Sequence, residues 1–103
     1  MQTFRKKRIE IVVEAPLLSK VIARLDGANV SGYSVMPVTA GRGFDGVWSA
    51  EGQIGSASQM TYIVCIVDVA RLDAVLSEVF AVIARQIGFI ATSDVEVIRA
   101  DRF

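Results

Sequence analysis

The stretch Arg8–Gly27, RIEIVVEAPLLSKVIARLDG, changes its hydrophobic period halfway along, and that change points to the fold. In its first half Ile9, Ile11 and Val13 alternate with Arg8, Glu10, Val12 and Glu14, the period of two that marks a strand with one buried face. Pro16 then suits the first turn of a helix, where a missing N–H costs nothing. Leu18, Val21, Ile22 and Leu25 follow at spacings of three and four and line one helical face, and Gly27 is a natural left-handed stop.

Outward from this stretch, Gly32–Val38 (GYSVMPV) predicts a second strand, whose Pro37 cannot donate to a ladder and so belongs at an edge or bulge. The same order then recurs. Met60–Asp68 is a strand rich in Ile and Val, and Asp68 is placed to cap a second helix. Leu72, Val75, Leu76, Val79, Phe80 and Ile83 form that helix's apolar stripe, Gly88 stops it, a short loop follows, and Asp94–Ala100 alternates as the fourth strand. Two strand–helix–strand units in tandem predict an α+β, ferredoxin-like βαββαβ sandwich: an antiparallel four-stranded sheet with both helices on one face. The 103 residues make one domain, 1–103. Val12 on the other face, and middle strands that are apolar throughout, imply a sheet buried on both sides and therefore an oligomer.

Composition narrows the chemistry. Eleven basic residues balance eleven acidic ones, so no overall field points to nucleic acid. Hydrophobic residues make up 52% of the chain, enough for a core. The longest apolar runs, such as Ile63–Val67, fall far short of a membrane span, and no leader is evident, so a cytoplasmic protein is expected. There is no histidine, and Cys65 is the one cysteine, set in an apolar run as a small buried hydrophobe. Histidine-based triads, disulfides and zinc clusters cannot be built from such a chain. Glu10, Glu14 and Glu96 lie scattered on strand faces without a pair suited to acid–base work, so no catalytic residue and no metal ligand is assigned. Binding rather than catalysis is expected.

Three features break the pattern. Arg5-Lys6-Lys7-Arg8 is a basic run; without it seven basic residues face eleven acidic ones. It reads either as an arm for an acidic partner or headgroups, or as the solubilising start of an edge strand. Residues 41–58 (GRGFDGVWSAEGQIGSAS) hold five of the eight glycines and no sustained period, as in a long functional loop. Gly41-Arg42-Gly43-Phe44-Asp45-Gly46 matches G-x-G-x-x-G, but glycine and serine follow it where a dinucleotide fold needs a helix. Backbone N–H groups at these glycines with Arg42 beside them can still cradle an anion, although a plain hairpin tip fits too. Phe44 and Trp48 on this loop either dock on a partner or pack back on their own domain. Arg99 and Arg102 form a second basic pair, open to solvent or to a ligand.

The strand–helix–strand layout, Gly32-Tyr33-Ser34-Val35-Met36, the Gly41-Arg42-Gly43 step, the long loop, Glu96-Val97 and Phe103 together resemble the PII-like signalling proteins over essentially the whole chain. The resemblance is to the subgroup that regulates inorganic-carbon uptake, the bicarbonate-transporter-associated and carboxysome-associated PII-like proteins. It implies a homotrimer, not an enzyme, that binds adenine nucleotides between subunits and carries no cofactor. It makes 41–58 the T-loop, which orders with ligand and docks on a target, with Phe44 and Trp48 as docking residues. It assigns nucleotide binding to Ser34, Gly41, Arg42, Gly43, Gly88, Phe89, Ile90, Ala91, Arg99 and Arg102, and bicarbonate binding to Gly41, Arg42 and Gly43. A bicarbonate transporter at the membrane or a carboxysome-related protein is the implied partner, and nucleic acid is not.

The chain departs from the wider family in ways that shape the expectation. Residues 41–58 contain no tyrosine to modify, and Gly88-Phe89-Ile90-Ala91 lacks the lysine that grips a γ-phosphate, which favours ADP or AMP over ATP. Asp45 and Trp48 stand where transporter-associated relatives carry arginines, and a two-cysteine redox tail is not expected after Phe103. The alternatives are a nitrogen-type PII regulator sensing ATP, ADP and 2-oxoglutarate, a ferredoxin-like hydrolase of acylphosphatase type, and a copper-tolerance-type trimer. Asn29 as the one asparagine counts against the hydrolase, and the missing histidine against the metal-linked trimer.

Overall fold

In the computed structural model, which describes residues 1–43, 46–49 and 59–103, the period-two stretch is β1 (Phe4–Glu14) and the helical stretch is α1 (Leu18–Gly27). There follow β2 (Tyr33–Val38), β3 (Ala40–Gly43), β4 (Gly46–Ser49), β5 (Met60–Val67), α2 (Leu72–Ile83) and β6 (Gly88–Val97). The main sheet is antiparallel and four-stranded in the order β2-β5-β1-β6, and β3 pairs with β4 in a separate ribbon. This is the expected ferredoxin-like architecture.

The core lies between one sheet face and the helices. Ile9, Ile11 and Val13 from β1 meet Ile63, Cys65 and Val67 from β5, with Val21 and Leu25 of α1 and Val75, Val79 and Ile83 of α2 packed over them. Period two in the strands and period three to four in the helices aim these side chains at one layer, and burying each stabilises the fold by about 1.5–3 kcal/mol. Phe80 is the exception in the α2 stripe: it is 59% exposed, because it lies past the edge of the buried arc.

Several boundaries differ from those read in the sequence. The basic run is part of β1, which is a central strand and not an edge, since β5 and β6 flank it on both sides. Three of its four charges have partners: Lys6, largely buried, pairs with Asp68, Lys7 with Asp94, and Arg8 with Tyr62 on β5 and Glu10 on its own strand. Asp68 therefore spends its carboxylate on Lys6 and makes no side-chain cap; its carbonyl accepts from the Arg71 N–H at 2.9 Å, closing a 3₁₀ turn. Pro16 likewise sits in a 3₁₀ turn, Ala15–Leu17, that leads into α1.

The left-handed residue after α1 is Asn29, with φ of 60°, and not Gly27. The Val30 N–H bonds the Leu25 carbonyl at 3.1 Å, the reversed bond of a helix stop, and asparagine tolerates that conformation. Residues 41–58 are not structureless throughout, because Gly41–Gly43 belong to β3 and Gly46–Ser49 to β4. The last strand starts at Gly88 and ends at Val97, so the expected loop at Gly88–Ala91 is strand, and a 3₁₀ turn, Ala100–Arg102, follows it. Gly88 makes this start possible: its φ is +149°, and a Cβ there would stand 2.2 Å from the Val12 carbonyl oxygen of β1. No helix among the described residues is long and apolar enough to cross a membrane.

Candidate functional site

The candidate residues sit on three parts of the fold. Ser34 is on β2, an edge strand where Pro37 is tolerated, and Thr39 alone separates β2 from β3, which carries Gly41, Arg42 and Gly43. Arg42 is exposed and lies opposite Val47 in the ribbon, with Gly41 opposite Trp48 and Gly43 opposite Gly46. Phe44 lies outside the described residues, as do Asp45 and the Trp48 side chain; the Trp48 backbone is part of β4.

Gly88, Phe89, Ile90 and Ala91 open β6, the opposite edge of the same sheet. Ser34 pairs with Val64, Val64 with Glu10, and Glu10 with Ala91, so Ser34 and Ala91 stand in one row across the sheet. Three strand spacings, roughly 14 Å, separate them within one chain. Phe89 is 49% exposed, whereas Ile90 turns inward and packs against the core, leaving only its backbone to a ligand.

Arg99 and Arg102 lie past the far end of β6, both exposed, where the terminal turn folds back beside the α1–β2 connection. The Ser31 hydroxyl donates to the Arg102 carbonyl at 2.8 Å and holds the turn there. Beneath it is a cavity of about 210 Å³ lined by Asn29, Ser31, Ile66, Asp68, Arg71 and Phe103, among others. The Arg71 guanidinium donates to the Ala28 carbonyl at its rim. Sequence reading did not bring these lining residues together, because they come from four separate segments: it took Asp68 as a helix cap, Asn29 as the one asparagine and Phe103 as part of the family resemblance.

A second missed group stands on the sheet face that carries no helices. Arg8 Nη2 donates to Tyr62 Oη at 3.0 Å, and Tyr62 Oη donates to Glu10 Oε2 at 2.9 Å. The Tyr62 hydrogen bond, with the Glu10 charge, raises the Arg8 pKa above its ordinary value. Arg8 and Glu10 are two apart on β1, a spacing that does signal a shared face. Burial pushes the Cys65 thiol up to about 11, so it is a core side chain and not a nucleophile. Among the described residues no cluster of three metal-ligating side chains occurs.

The described residues define a small α+β sandwich whose candidate residues divide between its two sheet edges, with the β3–β4 ribbon following β2. The model of the family described as nitrogen regulatory protein P-II matches residues 6–102, and the chain belongs to that family. The family is one of signalling regulators rather than enzymes, and this chain is a PII-like regulator. Solved structures agree on the fold. CPII, a nitrogen regulatory PII-like protein of Thiomonas intermedia solved with ADP, AMP and bicarbonate, superposes with a TM-score of 0.89 at 20% identity, covering 99% of this chain and 96% of that one. The same protein bound to ADP and bicarbonate gives 0.84 at 22% identity, over 99% and 97% of the two chains. A PII-like signalling protein of Thermus thermophilus gives 0.82 at 17% identity, over 100% and 99%. No curated protein matches the sequence.

Proposed function

We propose that this chain is a homotrimeric regulator that binds an adenine nucleotide, ADP or AMP in preference to ATP, together with bicarbonate, in clefts between its subunits. It reports the bound state through the segment 41–58 to an inorganic-carbon uptake or carboxysome partner. The observation that carries this reading is the split of the candidate residues between opposite sheet edges. Ser34 lies on the β2 edge, Gly41–Gly43 lie in the ribbon that follows it past Thr39, and Gly88–Ala91 lie on the β6 edge. One copy cannot close a ligand between them, but the β6 edge of a second copy beside the β2 edge of the first can. Family membership and the ligands of CPII support the same reading.

In such a cleft the backbone N–H groups of Gly41 and Gly43 and the Arg42 guanidinium take the phosphates, and the same groups suit the small bicarbonate anion. Ser34 and the Gly88–Ala91 backbone face the base, and Arg99 and Arg102 approach from the chain end. Thr39 alone links β2 to β3, so a ligand held at Arg42 fixes the direction in which the ribbon leaves the sheet. Micromolar binding supplies about 8 kcal/mol, enough to shift a loop between two populations.

Calorimetric titration of ADP, AMP, ATP and cyclic AMP, with and without bicarbonate, tests this. ADP or AMP binding once per subunit, tightened by bicarbonate, is expected. In Arg42→Ala that affinity falls about 10- to 100-fold, the loss of one charge-assisted hydrogen bond. Silence across all four nucleotides overturns the function and leaves the fold.

A further inference from the structure

The sheet face without helices is apolar along a whole row. Met36 pairs with Tyr62, Tyr62 with Val12, and Val12 with Phe89, and Met36 and Phe89 are 43% and 49% exposed at the two ends. Val64 and Ile66 add to the same face on β5. Into this surface are set the charges of Arg8 and Glu10, bridged by the Tyr62 hydroxyl.

The relay is incomplete as it stands. Arg8 has five N–H donors and gives one to Tyr62. Its Nε lies 3.6 Å from Glu10 Oε1, beyond a hydrogen bond, and the two side chains stay 42% and 32% exposed. Covering the apolar row would take water from both charges, which is costly unless each gains a partner. A second copy of this chain provides both partners, because every copy brings to the same face the Arg8 N–H donors and Glu10 lone pairs that its own ion pair and the Tyr62 hydroxyl leave unused. An apolar face alone can slide over its neighbour, whereas a polar pair within it admits one register.

We propose that Arg8, Tyr62 and Glu10 set the register of self-association: Arg8 gives its remaining donors to Glu10 of the neighbouring copy, while Tyr62 holds both side chains in the paired orientation. This rests on the subunit assembly proposed above and names the residues that specify it.

The test is native mass spectrometry of the full chain and of Arg8→Glu, Glu10→Arg, the Arg8→Glu/Glu10→Arg double variant and Tyr62→Phe, with far-UV circular dichroism to check folding. The wild type gives one oligomer mass, each single charge variant loses it, and Tyr62→Phe spreads over several stoichiometries. The double variant regains the wild-type mass, since the swap keeps each contact between copies opposite in charge. Coexpressing the two single variants gives mixed assemblies, with both homomeric species below their random-mixing share, since a mixed ring of three replaces two of its three like-charged contacts by opposite ones. A wild type that stays monomeric overturns the assembly itself. A wild type that assembles, with single variants that keep its mass or with coexpressed single variants that mix no more than at random, overturns the relay's role and leaves the assembly standing.

Discussion

Replacing Gly88 by alanine tests whether a backbone contact, and not side-chain packing, decides where β6 begins. The new Cβ would stand 2.2 Å from the Val12 carbonyl oxygen and 3.3 Å from the Val13 Cα, at a φ of +149° that alanine rarely adopts. Backbone strain of this kind costs on the order of 1–3 kcal/mol, and forcing neighbouring atoms apart costs about as much again. A net loss of about 3 kcal/mol is therefore expected. With a urea dependence of about 2 kcal/mol per molar, the unfolding midpoint falls by roughly 1.5 M. Gly27→Ala is the control, because nothing lies within 4 Å of its Cβ and its φ is not positive. At the end of α1 that change should raise stability by about 0.5–1 kcal/mol. Both midpoints are read at one protein concentration, since assembly makes them depend on it. Equal midpoints for Gly88→Ala and the wild type would refute the reasoning, and with it the placement of β6 against the Val12 carbonyl.

Ile11→Ala removes a fully buried side chain between β5 and β6 and should cost about 3–4 kcal/mol in the same urea assay. The hydrogen bond from Lys7, then its charge, holds the Asp94 carboxyl below its usual range, so its stabilising contribution is present above pH 3.8 and is lost as the pH falls through the lowered value. Asp94→Asn should flatten the acid limb of the stability profile, and an unchanged limb would assign that limb to other carboxylates. Cys65, 3% exposed with its thiol pushed up to about 11, should react with a thiol reagent at a rate set by unfolding, and fast labelling of the native protein would contradict its burial.

Much of the fold was legible because each strand and helix writes its period locally. Ile9, Ile11 and Val13, or Val75, Val79 and Ile83, show their buried face without reference to any other segment. What was misread depended on neighbours. Gly27 looked like the residue that ends α1, but the bond from Val30 to Leu25 puts the left-handed residue at Asn29. Gly88 reads as a helix stop in one dimension but is the point where β6 passes close to β1. Phe80 fits the α2 stripe by spacing, yet the helix turns it outward.

The candidate site divides in the same way. Ser34 and the Gly41-Arg42-Gly43 step announced themselves by residue type, because glycines beside an arginine are chemically distinctive wherever they fall. That Ser34 occupies the sheet edge opposite Gly88–Ala91, with the Gly41-Arg42-Gly43 step just past Thr39, follows from the strand order β2-β5-β1-β6, a property of pairing between segments far apart in the chain. The Arg8–Tyr62–Glu10 relay joins residues more than fifty positions apart. By itself the sequence determined which face of each strand and helix is apolar, since alternation is a property of neighbouring residues. Only the tertiary structure decided which strands are edges, which charges meet and which surface is left uncovered, since those depend on registers set by the packed whole.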